Sequence, residues 1–283
     1  MEKFCDYCPR KCKIDRNLKL GFCNENKNIR IAKIIDNFMW EEPCITKKNG
    51  VCAIFFSGCN LKCSYCQNFE ISSGQVGKEY TVEEFINLLK EKEKSNSYFD
   101  FITPTHFSKT ILSALKKYKP KIPIIWNSSG YEDIDVLKEL NNHIDVYLLD
   151  FKYASDTLGQ KYSNCKDYFS IAKKVISFCA ENKEDVFDNE GYLKSGLIVR
   201  HLVIPGEIEN SLNVLEFLGR NFKERIISIM SQFTPTKISP IKRKLKPLEY
   251  KIILKKLDEC GFTNGYIQDY TSADESFIPN FTE

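Results

Sequence analysis

The sequence predicts an α/β protein: six strand–helix units that lay down a parallel sheet with helices outside it, preceded by a small cysteine-rich metal-binding segment. Three observations carry this expectation. Apolar or β-branched runs recur at 51–56, 99–103, 122–126, 144–150, 196–204 and 226–231. Each run is followed by a stretch with helical spacing, as in Val82-Phe85-Ile86-Leu88-Leu89 or Ile111-Leu112-Leu115. Residues 1–28 fall outside this alternation and are short, polar and rich in cysteine. Repeated units joined by right-handed crossovers give a parallel sheet, and spacing alone suits an open doubly wound sheet as well as a partial barrel. In either architecture functional groups gather at the carboxyl ends of the strands.

Composition bounds the rest. With 283 residues, 42% of them hydrophobic, the chain is long enough for one large domain and a small appendage. Forty-one basic residues against thirty-eight acidic ones leave a net charge of +3. That balance indicates neither nucleic acid nor a membrane surface as an obligatory partner. The start Met1-Glu2-Lys3-Phe4-Cys5 has no apolar signal core, and no apolar run approaches the roughly 18 residues of a membrane span, so a cytoplasmic location is expected. Twelve cysteines in such a chain argue for metal ligands and reduced thiols rather than disulfides.

Taken in order, the chain opens with Cys5, Cys8, Cys12 and Cys23, four thiols within 19 residues of a segment too small to hold itself by a core. Such a segment (1–28) reads as a metal knuckle. Zinc and an iron–sulfur cluster both accept four cysteines, and spacing does not separate them from each other or from reduced, unligated thiols. Residues 29–50 read as a connector carrying a short strand, Ile29–Ile35, and then Met39-Trp40-Glu41-Glu42-Pro43. Trp40 is read as a packing residue, and Cys44 and Cys52 as structural thiols.

The run Val51–Phe56 reads as a buried strand, and the loop leaving it carries Cys59, Cys63 and Cys66 at CxxxCxxC spacing. Three thiolates on one loop can each bind one iron of a four-iron cluster; no fourth cysteine follows at ferredoxin-like spacing, which leaves one iron open. A tetrahedral zinc knuckle would need four ligands and more usually uses CxxC pairs.

CxxxCxxC with an aromatic residue, Tyr65, just before the last cysteine resembles the radical S-adenosylmethionine (SAM) enzymes. The CxxCPRxC opening, the later Gly21-Phe22-Cys23 and the stretch Met39–Pro43 are similar to a subgroup resembling pyruvate formate-lyase activating enzymes. This resemblance implies a partial (β/α)6 barrel over 51–283, with a C-terminal helix and tail. It implies a 4Fe-4S cluster on Cys59, Cys63 and Cys66 whose open iron is chelated by the amino and carboxylate groups of SAM. An electron then cleaves the sulfonium, and the 5'-deoxyadenosyl radical abstracts hydrogen from the substrate. A reductant such as flavodoxin or ferredoxin is implied, and the substrate would be a glycine in a glycyl-radical enzyme. The same chemistry on a small molecule or peptide is the alternative. A non-catalytic electron-transfer or zinc-stabilised binding module is the third reading, and it predicts four protein ligands at every metal.

The resemblance also assigns the strand ends. After the first, Gln67 and Asn68 follow the last cysteine, with Asn68 where activating enzymes carry an asparagine that orients the cofactor; a loop-capping asparagine is the plainer reading. The second ends at Thr103-Pro104-Thr105-His106, where the superfamily usually has a GGE-type motif for the SAM amino group. The hydroxyls of Thr103 and Thr105 and the His106 imidazole would replace it, and a structural role for His106 stands beside that one. At the third, Asn127 stands where activating enzymes have an acidic residue. At the fourth, Asp150-Phe151-Lys152 resembles their leucine-aspartate-leucine-lysine motif: the carboxylate suits a hard monovalent or divalent cation, and Lys152 the SAM carboxylate. In the fifth, Arg200 would clamp the SAM carboxylate or ribose, and Ile204, with Pro205 and Gly206, would form an adenine shelf. The basic stretch at 237–246 reads as a solvated loop.

Overall fold

The computed structural model describes residues 4–274 and 278–281; residues 1–3 of the expected knuckle, and 275–277 and 282–283 of the expected tail, lie outside them. Along the chain come β1 (Ile29–Phe38), β2 (Val51–Phe56), α1 (Phe69–Ser72), β3 (Lys78–Tyr80), α2 (Val82–Lys92), β4 (Tyr98–Ile102), α3 (Ser108–Lys117) and β5 (Ile124–Ser128). Then follow α4 (Ile134–Leu140), β6 (Val146–Asp150), α5 (Asp156–Ser163), α6 (Tyr168–Asn182), β7 (Val186–Phe187) and β8 (Leu193–Leu202). The chain continues through α7 (Ile208–Phe222), β9 (Ile226–Met230), α8 (Pro247–Cys260) and β10 (Gly265–Ile267).

The strands lie side by side in the order β10-β9-β8-β6-β5-β4-β2-β1-β3, with β7 paired to β8 off this path. From β2 to β10 every neighbouring pair on the path is parallel. The antiparallel strands β1 and β3 extend one edge. Among the described residues the two edges, β10 and β3, do not pair, so the sheet curves without closing. All six expected strands are present within two or three residues of their expected bounds. A seventh parallel strand, β10, was not expected; it is only three residues long, and two of them are exposed.

Both sheet faces are buried, which is why the strands read as continuous apolar runs rather than alternating ones. Cys52, Ile54, Phe56, Phe99, Phe101, Trp126, Tyr147, Leu149, Leu197 and Val199 pack against the helices in the larger core. The alternate residues Val51, Ala53, Phe55, Tyr98, Ile102, Ile125, Val146, Leu148 and Ile198 form a second core on the inner face. By the same period-two alternation Asp100, Asn127, Asp150 and Arg200 also face inward.

Local sequence secures the outer layer. Helix α2 starts at a capping box, with Thr81 accepting from the Glu84 N–H and Glu84 from the Thr81 N–H. Helix α8 begins with Pro247 and ends at Gly261 in the left-handed region. Phe38, at the end of β1, and Trp40, in the connector that follows, lie 5.1 Å apart between tilted rings, and Phe55 meets Phe38 at 6.0 Å and Phe281 of the tail at 5.4 Å. No helix among the described residues is long and apolar enough to cross a membrane.

Candidate active site

The three cysteines of the CxxxCxxC loop sit at the carboxyl end of β2 and open onto a cavity of about 240 Å³. The loop leaves the strand through Gly58, whose φ of +81° falls in the left-handed region. A Cβ there would lie 2.6 Å from the Cys23 carbonyl oxygen and 2.7 Å from Glu25 Cγ, so only glycine lets the loop pass this close. Its backbone is tied to the last turn of α5: Lys62 N–H donates to the Ser163 carbonyl at 3.1 Å and Ser64 N–H to that of Tyr162 at 2.7 Å. The Leu61 N–H points at Cys59 Sγ, 3.3 Å away. Tyr65 is buried and its hydroxyl meets that of Tyr153 at 2.7 Å, so the aromatic residue of the motif anchors the loop.

Burial pushes the Cys59 thiol up to about 12 and that of Cys66 to about 11, and raises Cys63 as well. Thiols of this kind lose their protons on binding iron, so metal uptake releases protons. The donor set fits a three-thiolate cluster site: three sulfurs face one cavity, and no other cysteine lines it.

Most of the strand-end residues singled out in the sequence meet here. Tyr65, Gln67, Asn68, Thr103, Asn127, Asp150, Lys152 and Arg200 all line the same cavity as the cysteines. Gln67 donates to the Gln232 carbonyl at 3.0 Å, and Asn68 stands at the N-terminus of α1 without capping it by its side chain. Thr103 has φ +60°, unusual for a β-branched residue, and its N–H donates to the Asn127 carbonyl at 2.8 Å.

The structure places three of them elsewhere. The chain enters a tight turn at Thr105–Phe107 that carries its side chains behind β4. There the Thr105 hydroxyl donates to buried Glu132 at 2.5 Å, and the His106 imidazole bonds the Ser57 carbonyl at 2.6 Å. Ile204 is buried in the outer core.

Arg200 spends all three guanidinium nitrogens inside the protein: Nε on Asp150 at 3.1 Å, Nη1 on Glu41 at 2.8 Å and Nη2 on the Asn127 side-chain oxygen at 2.7 Å. Lys152 Nζ donates to the second Asp150 oxygen at 2.5 Å. Burial opposes ionisation of Asp150, yet Lys152 and Arg200 outweigh it and hold its carboxyl below the ordinary range. The carboxylate expected to meet a cation is thus met by two side-chain cations. Below them Glu41 and Asp100 face one another, both pushed well above the carboxylate range by burial, so that the pair holds a proton. Asp100 Oδ1 is buried without a hydrogen-bond partner.

Glu41 and Asp100 were not singled out in the sequence. A signal existed for Asp100, the charged centre of the otherwise apolar run Tyr98-Phe99-Asp100-Phe101-Ile102, because a buried charge needs a partner. None existed for Glu41, which reaches the interior from the connector. Trp40, expected to be a packing residue, packs on Phe38 and also lines the cavity, 47% exposed.

The N-terminal cysteines form a second group. Cys5, Cys8, Cys12 and Cys23 line one small cavity together with Asn60 and His106, on the far side of the cluster loop. The free thiols of Cys5 and Cys12 are hydrogen-bonded to each other, the Phe22 N–H points at Cys12 Sγ from 3.4 Å, and Arg16 Nη2 lies 3.8 Å from Cys23 Sγ. Arg10 ties the group to the loop by donating to the Asn60 carbonyl at 2.8 Å. The donors border this space without converging tightly on a single point: among the described residues no three His, Cys, Asp or Glu side chains do so.

Known proteins place this arrangement. A Methanocaldococcus jannaschii protein of uncharacterized function, MJ0674, is 28% identical over 243 residues, covering 82% of this chain and 67% of its own. A pyruvate formate-lyase-activating enzyme from Clostridium pasteurianum is 32% identical over 115 residues, covering 36% of this chain and 46% of its own. Among solved structures, Streptococcus suis SuiB bound to its precursor peptide SuiA superposes with a TM-score of 0.52 at 13% identity, over 80% of this chain and 50% of that one. The last two alignments reach only about half of those proteins, and the SuiB likeness is one of fold. The family model described as the Radical SAM superfamily matches residues 53–218, from within β2 into α7, and so takes in the cysteine loop and five of the strands that bound the cavity. With that span exceeding half of the chain, the protein belongs to the Radical SAM superfamily.

Proposed function

We propose that this chain cleaves SAM reductively at a 4Fe-4S cluster held by Cys59, Cys63 and Cys66, and that its target is a protein or peptide, with the glycine of a glycyl-radical enzyme as the leading case. Membership of the superfamily supports SAM-dependent radical chemistry in general, and the partial likeness to a pyruvate formate-lyase-activating enzyme supports the narrower target. The observation that carries the reading is the meeting of three thiols with Asn127, Asp150, Lys152 and Arg200 around one cavity.

When bound, the cluster supplies one electron to SAM and an open iron to hold it. The residues of the chain do the rest. Gln67, Asn68, Thr103, Asn127 and Lys152 offer donors and acceptors to the polar groups of SAM. Arg200 acts through Asp150, fixing the carboxylate that fixes Lys152. Phe38, Trp40 and Pro279 bound the cavity and restrict water, which would otherwise intercept a radical. The N-terminal cysteines (1–28) hold a second centre, zinc or iron–sulfur, and a flavodoxin or ferredoxin in the cytoplasm delivers the electron.

Anaerobically reconstituted protein, given reductant and SAM, should form 5'-deoxyadenosine, and the triple variant of Cys59, Cys63 and Cys66 to Ala should form none. Product from the triple variant would sink the cluster assignment. A glycyl doublet in the electron paramagnetic resonance of a mixture with the partner protein supports activation. Deuterium moving between SAM and a small metabolite, with the partner unmodified, would overturn it and leave the radical chemistry in place.

A further inference from the structure

We propose that His106, through Nδ1, is a ligand of the metal centre held by the N-terminal cysteines. This rests on the proposed existence of that centre and adds a donor from a different part of the chain. His106 is 1% exposed and lines the small cavity bordered by Cys5, Cys8, Cys12 and Cys23. Its Nε2 lies 2.6 Å from the Ser57 carbonyl oxygen, which accepts only, so the ring proton must sit on Nε2. The neutral ring then presents a lone pair at Nδ1. That atom is buried and has no hydrogen-bond partner.

Such an arrangement is costly without a purpose. A buried nitrogen acceptor left unpaired costs about 1–3 kcal/mol. Metal-binding imidazoles commonly show this arrangement: one nitrogen on the metal, the other N–H donated to a backbone carbonyl that fixes the tautomer and the ring plane. Here the carbonyl belongs to Ser57, two residues before Cys59. The ring is also held against Phe107 at 4.3 Å between centroids, and its own carbonyl accepts from Arg16, whose guanidinium reaches Cys23. Arg16 thus ties the backbone of His106 to the thiol of Cys23.

Five donors exceed the four positions of a tetrahedral ion or of four irons, so one thiol is displaced. Cys12 is assigned as the thiol left out, because it is the one of the four that is not buried. The centre so formed draws on Cys5, Cys8, Cys23 and His106, joining the N-terminal segment to the barrel through a bond rather than through packing alone.

The test uses the full chain with Cys59, Cys63 and Cys66 replaced by Ala, loaded anaerobically with iron and sulfide or with zinc. Metal per chain is measured, followed by X-ray absorption at the edge of whichever metal is retained. The expected result is one imidazole in the coordination shell, absent in His106→Ala and in His106→Gln, whose amide keeps the bond to Ser57. Metal affinity in both should fall by no less than the roughly 10–100-fold that loss of an outer-shell partner costs. Cys12→Ser should retain metal and imidazole. Metal held by sulfur alone in the parent overturns the His106 assignment while the N-terminal centre stands; no metal in the parent removes both.

Discussion

The Ser163 hydroxyl lies 3.0 Å from Cys63 Sγ and 2.7 Å from the Tyr153 hydroxyl, which is itself 2.7 Å from that of Tyr65, so a chain of three hydroxyls ends on a thiol of the CxxxCxxC loop. Once Cys63 binds iron as a thiolate it accepts only, and Ser163 must donate to it. A hydrogen bond to a ligand sulfur stabilises the more negative, reduced state. A bond worth about 1 kcal/mol corresponds to roughly 40 mV for one electron. Ser163→Ala should therefore lower the cluster potential by tens of millivolts, and Tyr153→Phe by less, in a redox titration followed by electron paramagnetic resonance. Unchanged potentials in both would show that the chain only secures the fold of the loop.

Arg200 is the one guanidinium among the carboxylates of Glu41, Glu42 and Asp150. Truncating one partner of a buried charge network leaves the others uncompensated, at about 3–5 kcal/mol. Arg200→Ala should lower the urea midpoint accordingly. Arg200→Ala combined with Glu41→Gln should recover part of the loss, because the second change removes one of the stranded charges. Simple additivity of the two would show that they do not share a network.

The strands and the thiols were legible in the sequence for the same reason: both signals are local. A parallel strand covered on two faces is a continuous apolar run, and a CxxxCxxC loop is three ligands within eight residues. What the sequence could not show depends on where distant segments come to lie. Glu41 meets Arg200 across 159 positions, and nothing near Trp40-Glu41-Glu42 announces that the connector folds into the barrel. Thr105 and His106 stand at a strand end, as expected, but a tight turn rotates each successive side chain, so Thr103 faces the cavity and His106 the N-terminal cysteines. Strand β10, three residues with one half-buried side chain, is too short for any period to register.

His201 supplies a pH dependence that is independent of metal. It is buried between the Phe151 carbonyl, 2.8 Å from Nδ1, and the Ser211 hydroxyl, 2.8 Å from Nε2. Burial depresses its value from 6.5 to about 4. Its contribution is therefore fully present above pH 6.5 and is lost as pH falls through about 4, a change of roughly 3 kcal/mol. In His201→Gln the fall in unfolding free energy from urea titrations between pH 6.5 and 4 should be smaller by about that amount. Parallel slopes in variant and parent would show that this ring does not titrate with unfolding.

Two glycines separate backbone strain from contact at the cluster loop. Gly58 and Gly191 have φ of +81° and +85°, so alanine at either carries a similar left-handed cost of roughly 1–2 kcal/mol. At Gly191 an added Cβ meets nothing within 4 Å, whereas at Gly58 it would press on the Cys23 carbonyl, Glu25 and, at 3.2 Å, the His106 Nε2. Gly191→Ala should therefore lower stability by the strain alone and leave iron content untouched. Gly58→Ala should lose more stability and also iron, because the carbonyl that must move belongs to Cys23 and the loop that must move carries Cys59. Reconstituted iron per chain and the urea midpoint, measured on both variants, decide the matter. Equal losses in the two would mean that the close approach of Cys23 to the cluster loop has no bearing on either metal site. An iron deficit confined to Gly58→Ala would place the passage of the loop past Cys23 among the conditions for filling the Cys59, Cys63 and Cys66 site.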